Sequence, residues 1–193
     1  MYKIAVFASG SGSNAENIIR HFQHHPSIEV TCICTNRPDA YVIERARKYK
    51  VPVLVFTREE FYQSEKVLDF LANNQINFIV LAGFLWLVPE YLIDRFPNKI
   101  VNIHPALLPK YGGKGMYGDR VHQAVIDHHE TVSGITIHLV NREYDRGDTL
   151  FQATCPVEPS DTAETLASKV HQLEYAHFPV IIEQEVLKRM GSE

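Results

Sequence analysis

Cysteines, long apolar runs and dense runs of one charge are scarce or missing in this sequence. The three cysteines, Cys32, Cys34 and Cys155, form an odd and sparse set that is typical of a reducing compartment, so we expect a cytoplasmic protein. Cys32 and Cys34 are expected to be small buried side chains, because two thiols alone do not provide the four ligands of a zinc site. We therefore predict no metal site.

The absence of a long apolar run argues against a membrane-spanning helix, which needs about 20 apolar residues. The chain begins directly with an apolar strand, so we expect no signal peptide. Its net charge is −4, from 19 Lys and Arg against 23 Asp and Glu, and no cluster of basic residues stands out. We therefore expect no nucleic-acid partner and no membrane partner.

The length of 193 residues, of which 45% are hydrophobic and 22% charged, is sufficient for one full core. No repeat, linker or low-complexity segment divides the chain, so we predict a single domain over residues 1–193.

Apolar strands alternate with amphipathic helices through the first half of the chain, which predicts a parallel sheet with right-handed crossovers. The strands are predicted at residues 3–7, 29–35, 53–56, 78–82 and 100–103. The helices between them are predicted at residues 15–23, 40–50, 58–73 and 89–95. In the second strand, simple alternation places Val30, Cys32 and Cys34 on one face and Ile33 on the other.

The pattern changes after residue 104. A helix is predicted at residues 119–128, and two strands at 132–140 and 149–157 predict an antiparallel extension of the sheet. Asp161 is predicted to N-cap a long helix that reaches about residue 189. We therefore predict an α/β fold with a mostly parallel central sheet, an antiparallel C-terminal extension and a long C-terminal helix.

Asn102 and His104 interrupt an apolar strand with two polar side chains. Because strand residues alternate between faces, both side chains point the same way, and Pro105 then ends the strand because it has no N–H to donate. An imidazole can exchange a proton near pH 7, and an amide can donate to a developing oxyanion. Since ligands bind at the carboxyl ends of strands in open α/β sheets, the pair is a candidate catalytic site. The alternative is a loop that the two side chains cap.

A glycine-rich loop, Gly10-Ser-Gly-Ser-Asn14, joins the first strand to the first helix. It lacks the Lys-Ser/Thr ending of a P-loop, and Ala15 makes it a weak match to the dinucleotide pattern. Because N–H groups at a helix start attract anions, the loop is a candidate site for a phosphate ester. We expect positive φ angles at Gly10 and Gly12. A plain tight turn is the alternative.

Two further segments could belong to the same site. The apolar residues 82–88 follow the fourth strand and either complete the core or form the wall of a flat hydrophobic ligand pocket. Asp145 lies in a polar loop between the last two strands. If that loop folds beside Asn102, the carboxylate would orient His104 and favour its imidazolium. The alternative is an ordinary turn residue.

The chain resembles the phosphoribosylglycinamide formyltransferases, a family of the folate-dependent formyltransferase superfamily. The resemblance runs from residue 3 to about residue 187, and its motifs are Ser-Gly-Ser-Gly-Ser-Asn at 9–14, Leu-Ala-Gly-Phe at 81–84, Asn-Ile-His-Pro-Ala-Leu-Leu-Pro-Lys at 102–110, Gly-Ile-Thr-Ile-His at 134–138, and Asp145. It implies a Rossmann-like formyltransferase fold. It also implies formyl transfer from 10-formyltetrahydrofolate, as co-substrate, to the amine of glycinamide ribonucleotide in de novo purine biosynthesis.

Asn102, His104 and Asp145 match the catalytic trio of this family. The resemblance implies that Asn102 and a protonated His104 stabilise the tetrahedral oxyanion. Asp145 would hold His104 and assist proton transfer to the folate leaving group. Neither a covalent enzyme intermediate nor a metal is implied, and a homodimer is a candidate assembly.

The resemblance also assigns binding residues. The nucleotide is expected to contact Gly10, Ser11, Gly12, Ser13, Asn14 and Glu174. The pterin of the folate is expected to contact Leu85, Trp86, Leu87, Val88 and the loop that begins at Asn141. His122 and His138 flank segments that reach the site in this family, and we consider both as supports for the catalytic side chains.

Three features depart from the common pattern of the family. Trp86 stands where many relatives have Arg, and His171 stands where some have Gln. The glycine-rich residues 112–118 form a longer loop than is usual.

Other functions remain to be separated from this one. Methionyl-tRNA formyltransferase carries a further tRNA-binding domain, and formyltetrahydrofolate hydrolase carries an N-terminal regulatory domain; neither is expected in a chain of 193 residues with a net charge of −4. A non-catalytic nucleotide-binding or folate-binding protein could share the fold. Such a protein has no need of the complete trio.

Overall fold

The computed structural model describes residues 1–191, and within them seven strands form one sheet. The strands are β1 (Tyr2–Phe7), β2 (Ile28–Thr35), β3 (Val53–Val55), β4 (Phe78–Leu81), β5 (Ile100–His104), β6 (Val132–Leu139) and β7 (Thr149–Pro156). Their order across the sheet is β3-β2-β1-β4-β5-β6-β7. The first five strands pair in parallel, and β6 and β7 are antiparallel to their neighbours, which confirms the predicted fold class.

Helices connect these strands and cover both faces of the sheet. They are α1 (Ser13–Phe22), α2 (Val42–Lys48), α3 (Arg58–Tyr62), α4 (Lys66–Asn73), α5 (Glu90–Arg95), α6 (Asp119–Asp127) and α7 (Ala163–Met190). One apolar cluster packs α1, α2 and α7 against the sheet, and a second packs α3, α4 and α5 against the opposite face. Across residues 1–191 no helix combines the length and the apolar character that crossing a membrane requires.

A bulge in β2 changes which side chains face each layer of helices. Ile4 pairs with Val30 but Ala5 pairs with Cys32, so Thr31 is an extra residue in β2. Val30 consequently packs on the α1 side of the sheet, whereas Cys32 and Cys34 pack on the α4 side. The expectation that Val30 shares their face was wrong, because alternation holds only where the register is unbroken. The expected burial of both cysteines is confirmed.

Two predicted helix boundaries were also wrong. The helix predicted at residues 58–73 is broken into α3 and α4 around Ser64, whose hydroxyl donates to the Glu60 carbonyl at 2.9 Å and competes with helix continuation. The long helix α7 is capped by Thr162, not by Asp161. Thr162 has an extended backbone, and its hydroxyl accepts the N–H of Thr165 at 3.3 Å.

Candidate active site

Asn102 and His104 lie at the carboxyl end of β5, where the sheet changes from parallel to antiparallel pairing. The pairing of β5 with β6 sets His138 directly opposite Asn102 and Thr136 opposite His104. His104 and His138 are buried, and Asn102 is half-buried. The antiparallel neighbour therefore places a third polar side chain, His138, beside the predicted pair.

Asp145 joins these side chains from the loop between β6 and β7. Its Oδ2 atom lies 3.5 Å from His104 Nδ1. Its Oδ1 atom lies 3.4 Å from Asn102 Nδ2 and 3.6 Å from His138 Nε2. The N–H of Gly113 donates to Oδ2 at 2.9 Å. The structure thus brings together the amide, the imidazole and the carboxylate that the family resemblance implies as a catalytic trio.

His138 orients the amide of Asn102. The Nδ1 atom of His138 lies 2.8 Å from the Leu139 carbonyl oxygen, to which it donates, because a carbonyl can only accept. When the ring carries a proton on Nδ1 alone, Nε2 accepts from Asn102 Nδ2, which lies 3.1 Å away. The second N–H of the amide faces Asp145 at 3.4 Å. That contact is the longer of the two, so it is the one that a substrate oxygen can replace.

His104 is held in a defined tautomer. Its Nε2 atom donates to the carbonyl oxygen of Tyr111 at 2.7 Å, which leaves Nδ1 facing Asp145. Burial lowers the pKa of His104 below its usual value of 6.5, and the Asp145 carboxylate and the Tyr111 carbonyl raise it only in part. The imidazole is therefore neutral near pH 7 in the free protein. The protonated His104 that the resemblance implies would therefore form during the reaction.

Asp145 keeps its negative charge in this half-buried position. Burial alone raises the pKa of the carboxyl group. His138, His104 and the N–H of Gly113 together lower this pKa by more than burial raises it, so the net shift is downward. A carboxylate beside Nδ1 of a neutral His104 has no proton to share with it. The pair becomes complementary once His104 accepts a proton, which suits a site where an imidazolium forms during reaction.

The glycine-rich loop ends at the N-terminus of α1. Gly12 has φ +72° as the N-cap residue, and no side chain caps the first turn. A Cβ built on Gly12 would lie 2.4 Å from Val42 Cγ2, so glycine is also required for the packing of α2. The expectation of a positive φ at Gly10 was wrong, and a Cβ there would meet nothing within 4 Å.

Glu174 reaches the same end of α1 from α7. Its carboxylate is buried, and Oε2 accepts from Asn14 Nδ2 and from His171 Nδ1, each at 2.8 Å. The hydrogen bond with Glu174 raises the pKa of His171. His122 lies nearby with a lowered pKa, first because of burial and then because of His171. A polar cluster thus borders the N-terminus of α1.

One cavity of about 660 Å³ connects these groups. It is lined by residues 9–14, 81–88, 102–105, 113–119 and 143–145, together with His122, His138, His171 and Glu174. The cavity therefore borders the α1 N-terminus, Asn102 and His104, and the apolar loop after β4. Its size suits two small molecules or one large one. Within residues 1–191 no group of three or more His, Cys, Asp and Glu side chains is arranged to hold a metal ion.

Comparison with known proteins decides the family. Residues 2–182 match the model of the family described as "Formyl transferase". Phosphoribosylglycinamide formyltransferase from Haemophilus influenzae is 36% identical over 188 residues, which cover 94% of this chain and 86% of the relative. The chain belongs to the phosphoribosylglycinamide formyltransferase family.

Further relatives agree with this assignment. The chloroplastic phosphoribosylglycinamide formyltransferase of Arabidopsis thaliana is 40% identical over 186 residues, and this chain spans 93% of its own length but only 64% of that relative. The crystal structure of phosphoribosylglycinamide formyltransferase from Bacillus halodurans superposes with a TM-score of 0.85 at 34% identity, covering 94% of each chain. The predicted family, fold class and enzyme class are confirmed.

The residues expected to contact the folate of a phosphoribosylglycinamide formyltransferase fall into two groups. Leu85, Trp86, Leu87 and Val88 all line the cavity. Leu85 is 41% exposed, and its N–H donates to Ser9 Oγ at 3.1 Å. Val88 is buried in the core. The half-buried Trp86 packs against an aromatic cluster of Phe56, Phe61, Tyr62 and Phe84.

Asn141 forms the second group and lies apart from residues 85–88. It is exposed and does not line the cavity, which the loop reaches only through Glu143, Tyr144 and Asp145. The Asn141 side chain instead organises the loop, since it donates to the Arg146 carbonyl at 2.9 Å and accepts the N–H of Glu143 at 2.9 Å. Asn at a turn serves its own backbone in this way.

Two contributors to the site in this formyltransferase fold act through the backbone and were not predicted. They are the carbonyl of Tyr111 on His104 and the N–H of Gly113 on Asp145. The pattern of side chains in a sequence does not predict which backbone groups make such contacts. His138, in contrast, was considered because it flanks a segment that reaches the site in this family, and the structure gives it contacts with Asn102 and Asp145.

Proposed function

We propose that this chain transfers the formyl group of 10-formyltetrahydrofolate to the amine of glycinamide ribonucleotide. The observation that carries the proposal is the convergence of Asn102, His104 and Asp145 in the lining of a cavity of about 660 Å³. Family membership supports the reaction class. The identity of the formyl donor and the role of each residue belong to the proposal.

The reaction begins with attack of the substrate amine on the formyl carbon. A new N–C bond forms, the carbonyl electrons move to the formyl oxygen, and Asn102 Nδ2 turns from Asp145 to donate to that oxyanion. Neutral His104 accepts the proton that the amine loses, and the Asp145 carboxylate stabilises the resulting imidazolium. Collapse of the intermediate breaks the bond between the formyl carbon and N10 of the folate, and N10 receives the proton.

The nucleotide is assigned to the α1 end of the cavity. The first N–H groups of α1 carry no side-chain cap and lie next to the loop of residues 10–12, which suits a phosphate. Glu174 can accept hydrogen bonds from ribose hydroxyls, because its carboxylate is buried at the same end. Part of the acceleration then comes from holding the amine in line with the formyl carbon.

The folate is assigned to the part of the cavity that the loop after β4 borders. The exposed Leu85 and the half-buried Trp86 provide an apolar wall, and residues 143–145 border it on the other side. Apolar side chains flank a flat ring, and backbone groups of the same segments supply its hydrogen bonds.

A cytoplasmic location and a homodimer, which the sequence suggested, stay predictions. Light scattering of the purified chain tests the dimer.

The test is a spectroscopic assay with 10-formyltetrahydrofolate, with and without glycinamide ribonucleotide. We expect donor loss that depends on the amine and yields equal amounts of tetrahydrofolate and formylated amine. Donor loss without the amine would identify a hydrolase. Binding of both molecules without donor loss by the folded protein would identify a non-catalytic binding protein.

A further inference from the structure

Tyr111, which contacts His104 through its carbonyl, has an unusual backbone conformation. It lies outside any helix or strand, and its φ is +56°. Residues with a Cβ rarely adopt this left-handed region, and a bulky aromatic residue there is an outlier. Such a conformation persists only where surrounding contacts enforce it. The same carbonyl oxygen accepts the Nε2–H of His104 at 2.7 Å.

The side chain of Tyr111 supplies the enforcing contact. Its hydroxyl donates to Glu130 Oε1 at 2.9 Å, and its ring packs edge-on against His128 with centroids 5.7 Å apart. Glu130 follows α6, and the same Oε1 atom also accepts from the exposed Lys110 at 2.8 Å. Burial and the neighbouring Glu130 raise the pKa of Tyr111, while Lys110 lowers the pKa of Glu130. The phenol is therefore the donor and the carboxylate the acceptor near neutral pH.

The two residues after Tyr111 continue into the site. A Cβ on Gly112 would lie 2.4 Å from Leu108 Cδ2 and 3.3 Å from Asp145 Cβ, so the chain passes close beside Asp145. The N–H of Gly113 then donates to Asp145 Oδ2. The backbone of residues 111–113 therefore makes one contact with His104 and one with Asp145. The conformation of Tyr111 sets the direction in which this backbone continues.

We propose that the hydrogen bond between Tyr111 and Glu130 positions His104 for catalysis, although neither side chain touches the reacting atoms. It holds the Tyr111 backbone in its left-handed conformation, which keeps the carbonyl on His104 Nε2. Nδ1 of His104 consequently faces Asp145 and the reacting amine. The inference rests on the role of His104 under the proposed function, and it adds Tyr111 and Glu130 as positioning residues.

The first test measures kcat and KM of four variants of the full chain. Tyr111→Phe and Glu130→Ala remove the hydrogen bond, and we expect kcat to fall about 10- to 100-fold while both KM values stay near wild type, as for loss of an outer contact that aligns a catalytic group. Glu130→Gln keeps an oxygen that can accept from the phenol, so it should retain most of kcat. Lys110→Ala is the matched control, since it removes only the exposed ion pair.

The second test observes the tautomer of His104 by ¹⁵N NMR, with the signals assigned by comparison with His104→Gln. We expect wild type and Lys110→Ala to show the proton on Nε2, and Tyr111→Phe and Glu130→Ala to show a mixture. Unchanged His104 signals in both variants, wild-type kcat in both, or equal losses in Lys110→Ala and Glu130→Ala would each overturn the proposal. Where Tyr111→Phe does not fold, Glu130→Ala decides.

A parallel assay of His104→Ala separates this inference from the proposed function. Wild-type turnover in His104→Ala would remove the catalytic role of His104 and with it the claim that Tyr111 and Glu130 assist catalysis. A large loss in His104→Ala together with wild-type turnover in Tyr111→Phe and Glu130→Ala would overturn the positioning role alone.

Discussion

The Oδ2 atom of Asp145 lies 3.5 Å from Nδ1 of His104, with the imidazole neutral and the carboxylate ionised near pH 7. This pairing is incomplete in the free protein, because Nδ1 has no proton to donate. It becomes complete when His104 takes a proton from an attacking amine. The relationship therefore favours a base that is neutral at rest and stabilised once it is charged.

Asp145→Asn should lower kcat by about 10²- to 10⁴-fold, because the amide keeps the shape of the side chain but removes the charge that stabilises the imidazolium. The fold should be intact, since an amide oxygen still accepts the N–H of Gly113. Steady-state kinetics together with a thermal unfolding curve check both statements. A wild-type kcat would remove Asp145 from the mechanism.

The pH dependence of kcat/KM should show an acid limb below pH 6.5. Burial lowers the pKa of His104, and the active form is the neutral imidazole, so activity is lost as the pH falls through this lowered pKa. Asp145→Asn removes a carboxylate that raises the pKa of His104, so the remaining activity should show its acid limb at lower pH. A limb that moves to higher pH, or does not move, would contradict the assignment.

The free energy of unfolding should also fall below pH 6.5. The pKa of the buried His122 is lower in the folded protein than the value of 6.5 expected in the unfolded chain, so between these values the unfolded chain binds more protons and stability decreases as the pH falls. His122→Gln removes one such group and should flatten the slope. Urea unfolding at several pH values measures it, and an unchanged slope would mean that other groups dominate.

Gly10→Ala and Gly12→Ala should separate ligand binding from folding. A Cβ at Gly10 meets no protein atom, so Gly10→Ala should fold normally and raise KM for the nucleotide if the phosphate passes close to this backbone. Gly12→Ala should instead lower stability by about 1–3 kcal/mol, because of Val42 and the positive φ. Unchanged nucleotide KM in Gly10→Ala would move the phosphate elsewhere.

Glu174→Gln should raise KM for the nucleotide about 10- to 100-fold and leave KM for the folate unchanged. The reason is that this buried acceptor lies beside Asn14 at the N-terminus of α1, where the nucleotide is proposed to bind. Glu183→Gln, on the same helix but paired with His21, is the control. Equal effects on both KM values would contradict the assignment of the two ends.

The sequence predicted the class of the fold and most of its elements because apolar periodicity is a local signal. The strand ending in Asn102 and His104 could be recognised from two polar residues in an apolar run followed by Pro105. The bulge at Thr31 could not, since it depends on the register between β1 and β2. The cap at Thr162 was missed because Asp161, its neighbour, is an equally good capping residue by type.

The site, like the fold, has parts that the sequence predicts and parts that are visible only in the structure. Asp145 approaches Asn102 and His104 only in the folded chain, and its place in the trio came from family resemblance, not from residue spacing. The carbonyl of Tyr111 and the N–H of Gly113 are groups that every ordinary residue carries, so their role is visible only in the structure. Asn141 shows the converse, because a polar residue in a segment that reaches the site serves the loop itself.

The most direct test of the central claim is a crystal structure of the chain with glycinamide ribonucleotide and a formyl folate analogue that cannot transfer its formyl group. The account predicts the formyl oxygen about 2.7–3.1 Å from Asn102 Nδ2, with the amine of the nucleotide facing His104 and Asp145. A formyl group bound at the other end of the cavity, out of reach of all three side chains, would contradict it.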